Sequence, residues 1–328
     1  MKRYGWLVLA ACGGGKPPAS AAPRLANALV AAMTTAEQRH APWRCVAEDL
    51  PEPAAGPVGK GWELAGHALR RTGDAKDLVI GVVADAGGAD PKTVAALGRL
   101  RAKLDEANAD LVLALGGMGT TQPELEATLG VLAKPGSPVV ALPGDLESVA
   151  AEIAAIAAIN AKGAPIVDGR LVRWIELPNA TVGTIAGAGS PLRLVADGCA
   201  WQAEDVLELY QQLSAKPGLR IAATAEAPRA HHAGEPALVA GPVIDLVLHG
   251  PTQPAPSAAQ GGGRDGARTA ISPGTADATP RLPETRAPAA GLLVIRGATW
   301  SWKPLVDKSG ERPTRSTAAG GAQVEDKP

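Results

Sequence analysis

Between residues 77 and 163 the sequence alternates short apolar runs with amphipathic segments, and no other feature limits the fold as strongly. The apolar runs are DLVIGVVA at Asp77–Ala84, DLVLAL at Asp110–Leu115 and PVVAL at Pro138–Leu142. Continuous apolar runs of this length are typical of strands that are buried on both faces. The pattern therefore predicts parallel strands joined by helical crossovers, which is an α/β fold.

The segments between these runs carry helix signals. Asp90 followed by Pro91 predicts a helix start, and Thr121 with Glu124 forms a capping box. Gly163 marks the end of a third predicted helix. Farther along, the sequence predicts one more helix and several shorter strands: a helix at Ala203–Leu213, and strands at Leu171–Leu177, Thr181–Ala186, Leu219–Thr224, Val243–Leu248 and Leu292–Ile295.

Composition helps to set the predicted domain boundaries. Gly and Pro contribute 39 and 29 of 328 residues, which predicts long irregular connections. We expect an N-terminal segment at 24–76 with a short helix at Leu25–Met33, a domain at 77–306 with an irregular insertion at 251–288, and a disordered tail at 307–328. The formal net charge of −1 argues against a nucleic-acid partner. No apolar run approaches the roughly 18 residues of a transmembrane helix.

The first twelve residues, MKRYGWLVLAAC, resemble a bacterial lipoprotein signal. Lys2 and Arg3 form a basic start, a short apolar run follows, and the sequence Leu-Ala-Ala-Cys ending at Cys12 resembles a lipobox. The resemblance implies removal of residues 1–11, attachment of lipid to Cys12 and a flexible tether at 12–23. We then expect a lipid-anchored protein of the bacterial cell envelope, at the outer membrane or facing the periplasm. An ordinary secretory signal is the alternative.

Export would place the two other cysteines, Cys45 and Cys199, in an oxidising compartment. With no further cysteine available, a disulfide between them is the favoured prediction. Such a bridge would tie the N-terminal segment to the core of the domain. Two separate buried thiols are the alternative.

Five turns follow the predicted strands, at the place where an α/β enzyme keeps its chemistry. They read Asp85-Ala86-Gly87, Gly116-Gly117-Met118-Gly119, Pro143-Gly144-Asp145-Leu146-Glu147, Thr224-Ala225-Glu226-Ala227-Pro228 and Leu248-His249-Gly250-Pro251-Thr252-Gln253. In order and spacing they resemble the motif series of the calcineurin-like metallophosphoesterases, which is Asp-x-His, Gly-Asp, Gly-Asn-His-Asp/Glu, a lone His and Gly-His-x-His. The resemblance covers about residues 77–297. It implies an α/β fold of the calcineurin-like metallophosphoesterase sandwich type, with mixed sheets flanked by helices.

The same resemblance implies that the metal chemistry has been lost. In the family, carboxylates, imidazoles and an amide oxygen hold two divalent metals, which generate a hydroxide and neutralise phosphoryl charge. Asp85 is retained and Asp145 replaces the amide ligand. The other ligand positions and the position of the catalytic histidine carry different residues: Gly87, Gly117, Leu146, Ala225, Pro251 and Gln253. We therefore expect no catalytic residue and no resident cofactor.

A reduced site is the alternative. Asp85 and Asp145, with Glu147 close by in sequence, could hold one weakly bound Mg²⁺ or Ca²⁺ with water. Aspartates in such turns more often cap helices, and we favour that interpretation. The pair His231-His232 is more typical of a surface loop. His249 lies one position before the expected turn, which on a strand would direct it to the opposite face, so a structural role is favoured.

These observations lead to two functional hypotheses. The first is a catalytically inactive binding or scaffold module at the cell envelope, anchored to the membrane by lipid and contacting an envelope protein, a glycan or a phosphorylated ligand. The second is a residual metal-dependent phosphoesterase that uses a rebuilt one-metal site. A third interpretation, another doubly wound α/β protein, also fits the strand and helix pattern.

Overall fold

The computed structural model describes residues 43–73, 77–189, 195, 197–228, 238, 244–251, 257–263, 266–279 and 287–310. Cys12, the predicted helix at Leu25–Met33, His231-His232 and Gln253 lie outside the described residues, so the predictions about them remain predictions. Among the described residues, no helix has the length and apolar character needed to cross a membrane.

The described part of the chain contains four α-helices and seventeen strands. The helices are α1 (Pro91–Glu106), α2 (Gln122–Leu132), α3 (Val149–Asn160) and α4 (Ala203–Ser214). The strands are β1 (Trp43–Arg44), β2 (Gly56–Pro57), β3 (Trp62–Ala65), β4 (Ala68–Arg71), β5 (Asp77–Val83), β6 (Leu111–Leu115), β7 (Val139–Leu142), β8 (Ile166–Asp168), β9 (Trp174–Leu177), β10 (Ala180–Ile185), β11 (Cys199–Ala200), β12 (Leu219–Thr224), β13 (Leu246–His249), β14 (Ser257–Gly263), β15 (Gly266–Ser272), β16 (Ala289–Arg296) and β17 (Thr299–Val306).

The strands form two large mixed sheets and one small pair. The six-stranded sheet has the order β17-β16-β5-β6-β7-β8, and its strands β5 to β8 run parallel. The nine-stranded sheet has the order β14-β15-β13-β12-β10-β9-β4-β3-β2, with β10, β12, β13 and β15 parallel. Strands β1 and β11 pair separately. Strands β5 to β8 are joined by α1, α2 and α3 in turn, as the alternating pattern predicts.

The two sheets pack face to face, and helices cover their outer faces. One buried cluster joins residues of both sheets, including Ile80 and Leu113 from the six-stranded sheet and Ile221 and Leu248 from the nine-stranded sheet. A second cluster packs α1, α2 and α3 against the outer face of the six-stranded sheet, and a third packs Leu209 of α4 against the other sheet. The architecture is therefore an α/β/β/α sandwich of mixed sheets flanked by helices.

The structure confirms the predicted helix starts. The Asp90 side chain accepts a hydrogen bond from the Lys92 amide at 2.9 Å, as an N-cap residue does. Thr121 and Glu124 form the capping box at the start of α2. These local signals fix where the crossovers begin, and thus how the turns before them are placed.

Three features differ from the predicted boundaries. Strands β2 to β4, which lie within the predicted N-terminal segment at 24–76, are part of the nine-stranded sheet, because Trp62 and Leu69 are buried and β4 pairs with β9. The expected irregular insertion at 251–288 contains β14 and β15, since backbone pairing requires no apolar side-chain pattern. Asp307, expected in a disordered tail, is buried and forms an ion pair with Arg99 at 2.9 Å.

Candidate functional site

The carboxyl ends of parallel strands from both sheets meet at one edge of the sandwich, around a cleft of about 350 Å³. Turns that follow parallel strands gather at such an edge. The cleft is lined by six positions of the sequence motifs: Asp85, Gly117, Asp145, Leu146, Ala225 and Pro251. Gly87 does not line it, and Gln253 lies outside the described residues. Motifs that are spread over 167 positions of sequence thus come together in space.

The Asp85 backbone is held in an uncommon conformation. Its φ angle is 51°, in the left-handed region that non-glycine residues seldom adopt. Its carbonyl accepts hydrogen bonds from the Thr275 hydroxyl at 2.7 Å and from the amides of Ala276 and Asp277, each at 3.1 Å. Its amide donates to the Gly116 carbonyl at 2.8 Å. The loop after β15 and the turn after β6 therefore fix this residue at the cleft.

No side chain fits at Gly117 as the backbone stands. Its φ is 69°, and an added Cβ would lie 2.7 Å from Asp85 Cα and 3.0 Å from Asp85 Oδ1. Gly116 is equally confined, since a Cβ there would lie 2.7 Å from the Ala225 methyl and 2.9 Å from Gly144 Cα. The turn that the resemblance associates with a bridging carboxylate is therefore packed backbone against backbone. A carboxylate at position 117 would require this turn to move.

The Glu147 carboxylate faces backbone amides and does not line the cleft where a metal would be held. It is buried, and its carboxylate accepts hydrogen bonds from the amides of Met118 at 2.6 Å and Gly144 at 2.9 Å. It thus links the turn after β6 to the turn after β7 beneath the cleft. Burial raises the pKa of Glu147 to about 7 and the neighbouring Asp145 adds to this, while the hydrogen bonds from backbone amides oppose it.

A second buried carboxyl group, on α3, interacts electrostatically with Glu147. Glu152 of α3 is buried, and its Oε2 has no hydrogen-bond partner among the described residues. Burial raises the pKa of Glu152 well above its ordinary value, and the carboxylates of Asp168 and Glu147 raise it further. The guanidinium of Arg170 opposes them and is itself ion-paired with Asp168. The neutral form of Glu152 is therefore the one that this environment favours.

Glu226 is a cleft residue that the motif comparison did not single out. It follows Ala225 in the turn after β12, is buried, and lines the cleft. Its Oε2 accepts a hydrogen bond from the Gly189 amide at 2.8 Å. The family pattern drew attention to position 225, and the sequence offered no signal that the neighbouring carboxylate would face the same cleft.

His249 lies outside the cleft lining. It is buried at the end of β13, and its Nδ1 lies 2.6 Å from the Gly250 carbonyl oxygen. Burial lowers the pKa of His249 to about 4, against a smaller opposing effect of that hydrogen bond, so the ring is neutral at ordinary pH. At the first motif, a Cβ at Gly87 would lie 2.8 Å from Asp277 Oδ2, so an aspartate carboxylate occupies the space beside it.

A disulfide joins Cys45 to Cys199 and supports one wall of the cleft. The two Cα atoms are 5.5 Å apart. The Cys199 carbonyl accepts a hydrogen bond from the Ala188 amide at 3.1 Å, and Gly187 and Ala188 both line the cleft. Gly187 has a φ of 88°, and a Cβ there would lie 2.2 Å from the Cys199 carbonyl oxygen. The bridge thus connects β1 to the cleft wall through β11.

The donor set of the cleft does not fit a two-metal centre. In the described part of the chain, no three or more His, Cys, Asp or Glu side chains are grouped so as to hold a metal ion. Asp85 and Asp145 line the cleft, whereas Glu147 is directed to backbone amides. Two carboxylates would leave most of the roughly six to eight oxygen ligands of Ca²⁺ to water.

The fold and the cleft define an α/β/β/α sandwich with a site at the carboxyl ends of its parallel strands. No protein-family model matches the chain, and no curated protein matches it. Solved structures with a similar fold include a dimetal phosphatase from Danio rerio, at 10% identity and a TM-score of 0.46, covering 70% of this chain and 98% of that chain. A purple acid phosphatase from yellow lupin (Lupinus luteus) seeds is 9% identical with a TM-score of 0.46, covering 74% and 54%.

A third similar structure is that of GAP50, the anchor in the inner membrane complex of Plasmodium. It is 12% identical with a TM-score of 0.47, and the match covers 72% of this chain and 87% of that chain. Identities this low concern the fold alone, and TM-scores below 0.5 support no conclusion about activity. What the cleft does must therefore be judged from its own residues.

Proposed function

We propose that this chain is a binding module with a metallophosphoesterase-like sandwich, lacking phosphoesterase activity and anchored to the bacterial cell envelope by lipid on Cys12. The observation that carries the loss of activity is Gly117, where a Cβ would lie 2.7 Å from Asp85 Cα. The backbone around Gly117 is packed so closely that it leaves no room for a side chain. Ala225 and Pro251 add no ligand at the two later motifs.

The competing hypothesis is a residual metal-dependent phosphoesterase. It is favoured by one observation, that Asp85 and Asp145 line the same cleft. On this hypothesis the two carboxylates would hold one divalent cation together with water. The hypotheses differ in metal content and in turnover, so one experiment separates them.

The experiment measures metal content and phosphodiesterase turnover on the same purified, folded protein. Bis(p-nitrophenyl) phosphate with added Mn²⁺ is the probe, and Asp85→Asn is the matched variant. We expect no stoichiometric metal, and a rate equal to that of the variant and of buffer with Mn²⁺. Turnover that the wild type shows and Asp85→Asn lacks would overturn the proposal and establish the residual enzyme.

A further inference from the structure

The two large sheets have four outer edges, and three of them are short or carry residues that discourage pairing. Strand β2 is the dipeptide Gly56–Pro57, and β8 has three residues. Strand β17 contains Lys303 and Pro304. Short edge strands, lysine and proline are the usual means by which proteins prevent association through sheet edges.

The fourth edge, β14, lacks these protections. It is seven residues long, with the sequence SAAQGGG, and contains neither a charged residue nor proline. Among the described residues it pairs only with β15, from Ser257 opposite Ser272 to Gly263 opposite Gly266. In an antiparallel pair, alternate residues direct their N–H and C=O groups away from the partner strand. Within the part of the chain that the structure describes, no strand pairs with the outer side of β14, which therefore presents a row of backbone donors and acceptors.

We propose that β14 is a dimerisation edge, which pairs antiparallel with β14 of a second copy of this chain about a two-fold axis at Gln260. Gln260 is the middle residue of the strand. The register around it would place Gly261–Gly263 opposite Ser257–Ala259, so small residues face small residues. A strand and its own copy match in length and in hydrogen-bonding groups, which is the self-complementarity that a two-fold interface requires.

Charge supports a second copy as the occupant. Pairing of the strand with its own copy about this axis places Gln260 opposite Gln260 of the second copy, so a charge at this position would face a like charge. Across β14 no such repulsion arises, because the strand carries no charge. Each N–H and C=O that one copy directs outward would find its partner on the other, and the two nine-stranded sheets would become one continuous sheet.

Gln260→Lys and Gln260→Glu test the proposal as a complementary pair. Analytical ultracentrifugation of the wild-type chain should give a dimer. Each variant alone places like charges opposite each other at the axis, and its dimer dissociation constant should rise at least tenfold. An equimolar mixture of the two variants should recover the dimer, because Lys then faces Glu.

Ser301→Lys on the β17 edge is the matched control, since Ser301 is exposed on a strand of the other sheet. It should leave the dimer dissociation constant unchanged. Three results would overturn the proposal: a monomeric wild type at every concentration reached, a dimer equally strong in both Gln260 variants, or failure of the mixture to recover association. Circular dichroism checks that the variants are folded.

Discussion

At the scale of single residues, Gly117 is the position that most directly supports the proposed absence of phosphoesterase activity. Gly117→Asp would restore the carboxylate that the family resemblance associates with this turn. Because a Cβ there would lie 2.7 Å from Asp85 Cα and φ is 69°, we expect the free energy of unfolding to fall by about 2 kcal/mol or more. Urea unfolding measures the loss, and the phosphodiesterase assay should still give no turnover.

The control for this substitution is Gly130→Asp. Gly130 lies in α2, and an added Cβ there meets no atom within 4 Å. The same chemical change should therefore alter the free energy of unfolding by less than about 1 kcal/mol. Equal stability of Gly117→Asp and wild type would show that the turn moves easily and that a carboxylate at position 117 can be accommodated.

Glu147 should make stability depend on pH in a defined direction. Its pKa is raised from the ordinary 4.5 to about 7 in the folded protein, chiefly by burial, so the folded state binds the proton more tightly than the unfolded state. Stability is then greatest below pH 4.5 with respect to this group and is lost as pH rises through 7, by on the order of 3 kcal/mol. Glu147→Gln removes the titration and should flatten this part of the profile.

Urea unfolding of wild type and Glu147→Gln between pH 4.5 and 8 measures the effect. The amide of glutamine would face one of the two backbone N–H donors, so we also expect the variant to be about 1–2 kcal/mol less stable at pH 5. Glu63→Gln, at an exposed position of β3, is the control and should follow the wild-type profile. A wild-type slope that survives in Glu147→Gln would assign the titration to another group, such as Glu152.

At the scale of elements, a strand can be predicted from the sequence where burial of its side chains stabilises it, and cannot where backbone pairing with distant strands does. Strands β5 to β7 were predictable because burial on both faces requires a nearly continuous apolar run. Strands β14 and β15 were not, because Ala, Gly and Thr leave little side-chain pattern and the pairing depends on distant backbone partners. In the cleft, the turns followed from the strand ends. Glu226 did not, because its place depends on the Gly189 amide, 37 positions away.

The link from β1 to β11 gives a prediction at the same scale. The cysteines are separated by 154 positions, so the bridge removes much conformational freedom from the unfolded chain. The double variant Cys45→Ala/Cys199→Ala should lose about 4–5 kcal/mol by the chain-entropy relation, with a lower thermal midpoint. Differential scanning calorimetry under oxidising and reducing conditions measures this. A midpoint equal to that of wild type, or one that reducing agent leaves unchanged, would contradict it.

At the scale of the whole molecule, the remaining prediction concerns the attachment of the protein to a membrane. If lipid is attached at Cys12, several acyl chains on one cysteine would anchor the chain stably, since each buried methylene contributes about 0.8 kcal/mol. Wild type expressed in a bacterial host should then sediment with membranes and yield a mature N-terminus at residue 12. Cys12→Ala should move to the soluble fraction.

The variant Cys45→Ala/Cys199→Ala serves as the control for this prediction, because it removes two cysteines that the structure joins to each other and leaves Cys12 in place. It should remain in the membrane fraction, which separates loss of the anchor from loss of stability. Mass spectrometry of the N-terminal peptide decides the chemistry. A mature wild-type chain that starts elsewhere and carries no lipid would remove the envelope anchor from the proposal. The binding cleft would keep its acidic lining, and its partner would then have to be sought without a membrane surface.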